Sequence, residues 1–67
     1  MEVLCARVLR VYDCCLLVCD LRGCQEYLVH TADACCFRVG QCVHITYDGT
    51  STKSVPPQIQ ATEIHLA

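Results

Sequence analysis

The chain has 67 residues, of which 54% are apolar, 18% are charged and eight are cysteine. A chain of this length buries only roughly 60% of the surface that it exposes when unfolded, so it has room for a single domain, residues 1–67, with a small core. Its length excludes two-domain arrangements and dinucleotide-binding folds. The formal net charge of −2 provides no basic surface of the kind that binds nucleic-acid backbones, so nucleic acid is not expected as a partner.

The cysteine content exceeds the roughly 8–10% that is typical of small disulfide-linked secreted proteins. However, the opening residues Met1–Arg7 lack the basic segment, apolar stretch and cleavage site of an export signal. The longest apolar run, Cys14–Cys19, is far shorter than the ~20 residues of a membrane-spanning helix. We therefore expect a cytoplasmic protein that has no membrane partner and keeps its thiols reduced.

Short runs of β-branched and aromatic residues alternate with turn residues, and no segment shows the spacing of an amphipathic helix. Five strands are predicted, at Val3–Tyr12, Cys15–Cys19, Cys24–His30, Gln41–Tyr47 and Gln58–Leu66. One short helical turn is expected between strands 3 and 4, where Thr31 or Asp33 can cap its start and Gly40 can end it. This order is that of an OB-type barrel, so the predicted fold class is all-β, a small five-stranded OB-like barrel.

Three turns have recognisable residues. Asp13-Cys14 occupies the place of a two-residue hairpin loop, and Asp20–Gly23 closes a second hairpin in which Gly23 is free to adopt a positive φ. Asp48–Pro57 is a longer polar loop that ends in two prolines, so strand 5 begins after it. The second hairpin predicts that Cys19 lies directly opposite Cys24.

Side chains alternate between the two faces of a strand, and directly opposed residues share a face. The predicted core face carries Leu16, Val18, Tyr27, Val29, Val43, Ile45 and Tyr47. The predicted outer face carries Cys15, Leu17, Cys19, Cys24, Glu26, Leu28, His30, Cys42, His44 and Thr46. Several thiols and two imidazoles are therefore expected on the outside.

Zinc prefers cysteine sulfur and histidine nitrogen in tetrahedral sets of four, which makes Cys19, Cys24, Cys42 and His44 the candidate ligands. In an OB strand order, strand 4 borders strand 1 rather than the second hairpin, so these four residues fit one shell poorly. Two alternatives stay open: the cysteines serve as small apolar side chains in a reduced chain, or Cys19 and Cys24 form a disulfide. We first expect that the protein has no cofactor, and the alternative is a bound zinc ion.

Catalytic residues are not evident. Cys42 and His44 would have Cα atoms about 6.6 Å apart with no third group to orient them. A barrel of this size also has no room for a deep pocket of ~300 Å³ or more. We therefore expect a protein that is not an enzyme.

The outer face of strands 2 and 3, with the Asp48–Pro57 loop, is the region that OB folds commonly use for binding. We expect a non-catalytic binding or interaction module, monomeric or weakly homodimeric, whose partner is a protein or a small ligand. The candidate binding residues are Leu17, Glu26, Leu28 and Lys53. The alternatives are a zinc-binding or thiol-based metal or redox protein that uses surface cysteines, and a weak single-stranded nucleic-acid binder.

Two regions of the chain resemble a known family. Val39–Gly49 followed by Ser54–Ala61 is similar to a strand ending in Tyr-Asp-Gly that leads through a loop to a Pro-x-Gln-Ile-x-Ala strand. Arg10–Asp13 followed by Leu16–Val18 is similar to the opening hairpin of the same proteins. The proteins that share these segments form the YobA-like family of small bacterial proteins of unknown function. The resemblance implies an OB-like fold and carries over no functional residues.

Overall fold

Five strands and a single turn of 3₁₀ helix make up the regular structure of the computed structural model, which describes residues 1–67. The strands are β1 (Glu2–Val11), β2 (Cys15–Asp20), β3 (Glu26–His30), β4 (Cys42–Tyr47) and β5 (Gln58–Leu66). The helical turn, Ala34–Cys36, lies between β3 and β4 and falls well short of the length and apolar character of a membrane-crossing helix. The prediction of an all-β chain with five strands and one such turn is confirmed, and each strand end lies within two residues of its expected place.

The strands close into a ring in the order β1-β2-β3-β5-β4. Neighbouring strands are antiparallel except β3 and β5, which are parallel. The ten-residue β1 pairs with β2 along one side and with β4 along the other. Its pairing with β2 shifts by one residue between Val8 and Arg10, a bulge that bends the strand around the ring.

The core lies inside this ring and is built entirely from apolar side chains. Its eleven buried residues are Leu4, Ala6, Val8, Leu16, Val18, Val29, Ala34, Phe37, Val43, Ile45 and Ile59. Tyr27 and Tyr47 are half-buried against them, and no polar or charged residue is buried. The predicted assignment of inward and outward faces on β2, β3 and β4 is confirmed.

The first hairpin has the expected two-residue loop. The Tyr12 N–H donates to the Cys15 carbonyl oxygen at 2.9 Å, which leaves Asp13 and Cys14 between the paired residues. Neither loop residue adopts a positive φ, so the turn is not of type I′. The 3₁₀ turn ends at Cys36, with Phe37 as its C-cap, rather than at Gly40, whose φ of +94° belongs to the following loop.

The expected register of the second hairpin is wrong by two residues. Asp20 donates its N–H to Gln25 at 2.8 Å, so the loop is Leu21–Cys24, and Cys19 lies opposite Glu26. The Asp20 carboxylate accepts the Arg22 N–H at 3.0 Å, which stabilises this longer turn. Cys24, not a glycine, takes the positive φ of 57°. Because the shift is an even number, the residues of β2 and β3 keep their predicted faces, whereas Cys24 leaves the outer face and lies in the loop.

Candidate functional site

The outer face of β2 and β3 forms an open groove of about 410 Å³ beside the 48–57 loop. Leu17 and Leu28 are direct cross-strand partners, both half-buried, and they form an apolar floor. The groove is lined by Tyr12, Cys15, Leu17, Glu26, Leu28 and Pro56. Three of the four predicted binding residues therefore meet in one place.

Tyr12 and Pro56 contribute the rest of the apolar lining from outside the two strands. Tyr12 directly follows β1, is 47% exposed and is held beside Cys15 by the first hairpin. The loop is attached to β3 because the Leu28 N–H donates to the Pro57 carbonyl oxygen at 2.9 Å. Glu26 is the only charged residue in the groove, and it forms no ion pair.

The 48–57 loop is held in place by its own polar groups. Asp48 Oδ1 accepts the Thr50 N–H at 2.9 Å and the Thr50 hydroxyl at 2.7 Å, and these hydrogen bonds lower the pKa of Asp48. Thr52 pairs with Gln58 at the start of β5, through a backbone hydrogen bond of 3.0 Å and a second one to its hydroxyl oxygen. Gly49 has a φ of +92°, and a β-carbon there would lie 3.1 Å from Cγ of Glu2. The groove therefore has a structured wall.

The fourth predicted binding residue, Lys53, is exposed and lies outside the groove lining. Of the other lining residues, Cys15 and Pro56 lie within the predicted binding region without being among its four candidate residues, and Tyr12 lies outside that region. The two-residue hairpin loop is a signal that places Tyr12 next to Cys15. The sequence does not indicate which residue of the 48–57 loop reaches the groove, because that depends on how the loop is attached to β3.

The surface has two further grooves, each of about 310 Å³. One is polar and lies around His30, whose Nε2 is 2.8 Å from Gln58 Oε1. The other includes Cys24 and Val55 and shares Glu26 and Pro56 with the main groove. All three grooves are open to solvent.

The four predicted zinc ligands do not form one site, and this prediction requires correction. All eight cysteines are free. Arg7 pairs with both Cys19 and Cys42, so β1 separates these two thiols, and the Arg7 guanidinium donates to Cys42 Sγ at 3.9 Å. His44 pairs instead with Cys5 and His65. No group of three or more His, Cys, Asp or Glu side chains is arranged to hold a metal ion.

The thiol at the end of β2 is poorly suited to act as a nucleophile. Burial raises the pKa of Cys19, and Cys24 and Glu26 raise it further by their charge, with an added hydrogen bond to Cys24. A thiol reacts as its thiolate, so a raised pKa lowers the reactive fraction. The pKa of Cys36 is raised as well, first by the charge of its neighbour Cys35 and then by burial.

The groove thus offers an apolar floor, one aromatic ring and one unpaired carboxylate, which is a surface suited to binding. None of its groups forms a nucleophile and base in hydrogen-bond contact. Comparisons of the chain with protein-family models, with curated proteins and with solved structures find no match. What the groove binds is therefore inferred from its own geometry and chemistry.

Proposed function

We propose that the protein is a small, non-catalytic binding module of OB-like fold that holds a small ligand or a protein segment against the outer face of β2 and β3. The observation that carries this proposal is the solvent-accessible apolar floor of Leu17 and Leu28 within a groove. Concave apolar surfaces with a few polar groups are typical ligand sites. The strand order supports the OB-like assignment, and OB folds bind on this face and the adjoining loops.

The lining of the groove indicates the chemistry of the ligand. The leucines and Tyr12 favour an apolar or aromatic group, and Tyr12 is able to stack on a flat ring. Glu26 favours a cation or a hydrogen-bond donor next to that group and disfavours a phosphate. The nucleic-acid alternative therefore has less support than a ligand that is apolar and positively charged.

NMR titration with two matched indoles tests the proposal. Tryptamine carries a positive charge and indole-3-acetate a negative one, so the first should shift the amide signals of Leu17 and Leu28 at lower concentration. The double variant Leu17→Ser/Leu28→Ser should lose these shifts while its circular dichroism stays unchanged. Leu66→Ser is the control, because Leu66 is an exposed apolar residue outside the groove. Shifts of equal size in the double variant would show that the groove is not the site.

The same double variant tests self-association. If a weak homodimer forms through this apolar floor, sedimentation should show its dissociation in the double variant and not in Leu66→Ser.

The expected location is the cytoplasm, since eight free cysteines suit a reducing compartment. Membership of the YobA-like family stays a prediction. The zinc- or thiol-based alternative has less support, because its four predicted residues do not meet.

A further inference from the structure

The pairing of β4 with β5 places two histidines side by side. His44 is the direct partner of His65, and both side chains are exposed on the outer face. Opposed residues of antiparallel strands have Cα atoms about 4.5–5.5 Å apart, so two imidazoles in this position are able to bind one ion at about 2.0–2.1 Å. On the other side of His44, its β1 partner is Cys5.

A carboxylate supports one of the two rings. Glu63 lies two residues before His65 on the same face of β5, and its Oε2 is 3.5 Å from His65 Nε2. Metal-binding histidines commonly direct one ring nitrogen to a carboxylate, which orients the ring and increases the basicity of the other nitrogen. With Nε2 beside Glu63, Nδ1 is the ring nitrogen of His65 that remains for an ion shared with His44.

We propose that His44 and His65 form an open two-imidazole site for a divalent transition metal ion, with water completing the coordination. Nitrogen and oxygen ligands of this kind suit Cu²⁺ and Ni²⁺, whereas a closed zinc site needs four protein ligands. The protein supplies only two ligands here, consistent with the lack of any group of three or more. The site lies on β4 and β5 and is separate from the groove on β2 and β3.

Ni²⁺ is the probe of choice, because it does not oxidise the eight free thiols as Cu²⁺ does. The imidazole carbon-bound protons of His44 and His65 should broaden together in NMR spectra at Ni²⁺ concentrations that leave His30 unaffected. His44→Gln and His65→Gln should each weaken binding at this site by at least about tenfold, since one imidazole alone loses the advantage of chelation. His30→Gln is the matched control and should leave the affinity unchanged.

A further variant separates this site from binding by the neighbouring thiol. Cys5→Ser should retain the joint broadening of His44 and His65 with little change in affinity. The proposal is overturned if the two histidines broaden at different Ni²⁺ concentrations, or if His65→Gln binds as tightly as the unaltered protein. It is also overturned if Cys5→Ser abolishes binding while His65→Gln does not, because the ion would then lie between β1 and β4.

Discussion

Cys24 has a backbone conformation that is unfavourable for an L-residue. It is the only residue other than glycine with a positive φ, and it lies directly after Gly23, which does not adopt one. The left-handed conformation costs an L-residue about 1–2 kcal/mol. The chain accepts this cost because the Asp20 turn and the pairing of Asp20 with Gln25 determine which loop position must be left-handed.

Replacing Cys24 by glycine should increase the free energy of unfolding by up to about 1 kcal/mol. Relief of the backbone strain exceeds the added entropy of glycine in the unfolded chain, which is about 0.5–1 kcal/mol. Denaturant unfolding measures the change. Cys24→Ala is the control, since it removes the thiol and its contact with Cys19 but keeps the strain. Equal stabilisation by alanine would show that the thiol, not the backbone, is unfavourable.

Within a single strand, alternation of side chains separates stability from binding. In β2, Leu16 is fully buried in the core, while its neighbour Leu17 forms the floor of the groove on the opposite face. Two leucines that are adjacent in sequence therefore have different roles. The alternation follows from the extended backbone alone, which is why the two faces could be predicted before the hairpin register was known.

Leu16→Ser should destabilise the protein far more than Leu17→Ser. Loss of a fully buried leucine side chain lowers the free energy of unfolding by about 2–5 kcal/mol, and burial of the serine hydroxyl lowers it further. The Leu16→Ser variant is therefore expected to be largely unfolded. Leu17 is only half-buried, so its replacement should cost about 1 kcal/mol. Thermal unfolding followed by circular dichroism compares the two. A larger loss for Leu17→Ser would mean that the assigned faces are inverted.

For the molecule as a whole, stability depends on a core to which cysteine contributes no buried residue. The eleven core residues are all Val, Leu, Ile, Ala or Phe, and the eight thiols are half-buried or exposed around them. Closure of the ring by β1 against β4 and by β5 against β3 brings these apolar faces together. The cysteines are therefore not required as cross-links for the fold.

Thiol titration of the unfolded protein should accordingly find eight free thiols per chain. A native mass spectrum of the folded protein should show no bound zinc. The free energy of unfolding should be the same with and without reductant, because no disulfide restricts the unfolded chain. Replacing Cys14 and Cys35, which are both exposed, should leave the free energy of unfolding unchanged. Fewer than eight thiols, or lower stability in reductant, would contradict this.

Local sequence patterns were sufficient to predict the five strands, the helical turn and the division into core and outer faces, because each depends on neighbouring residues and on the two-residue period of a strand. Three features could be seen only in the folded chain: the register of the second hairpin, the contribution of Pro56 to the groove and the pairing of His44 with His65. These features join residues that are brought together by turn geometry and ring closure, which no local pattern specifies. The same reason explains why the outer thiols were identified correctly while their predicted common site was not.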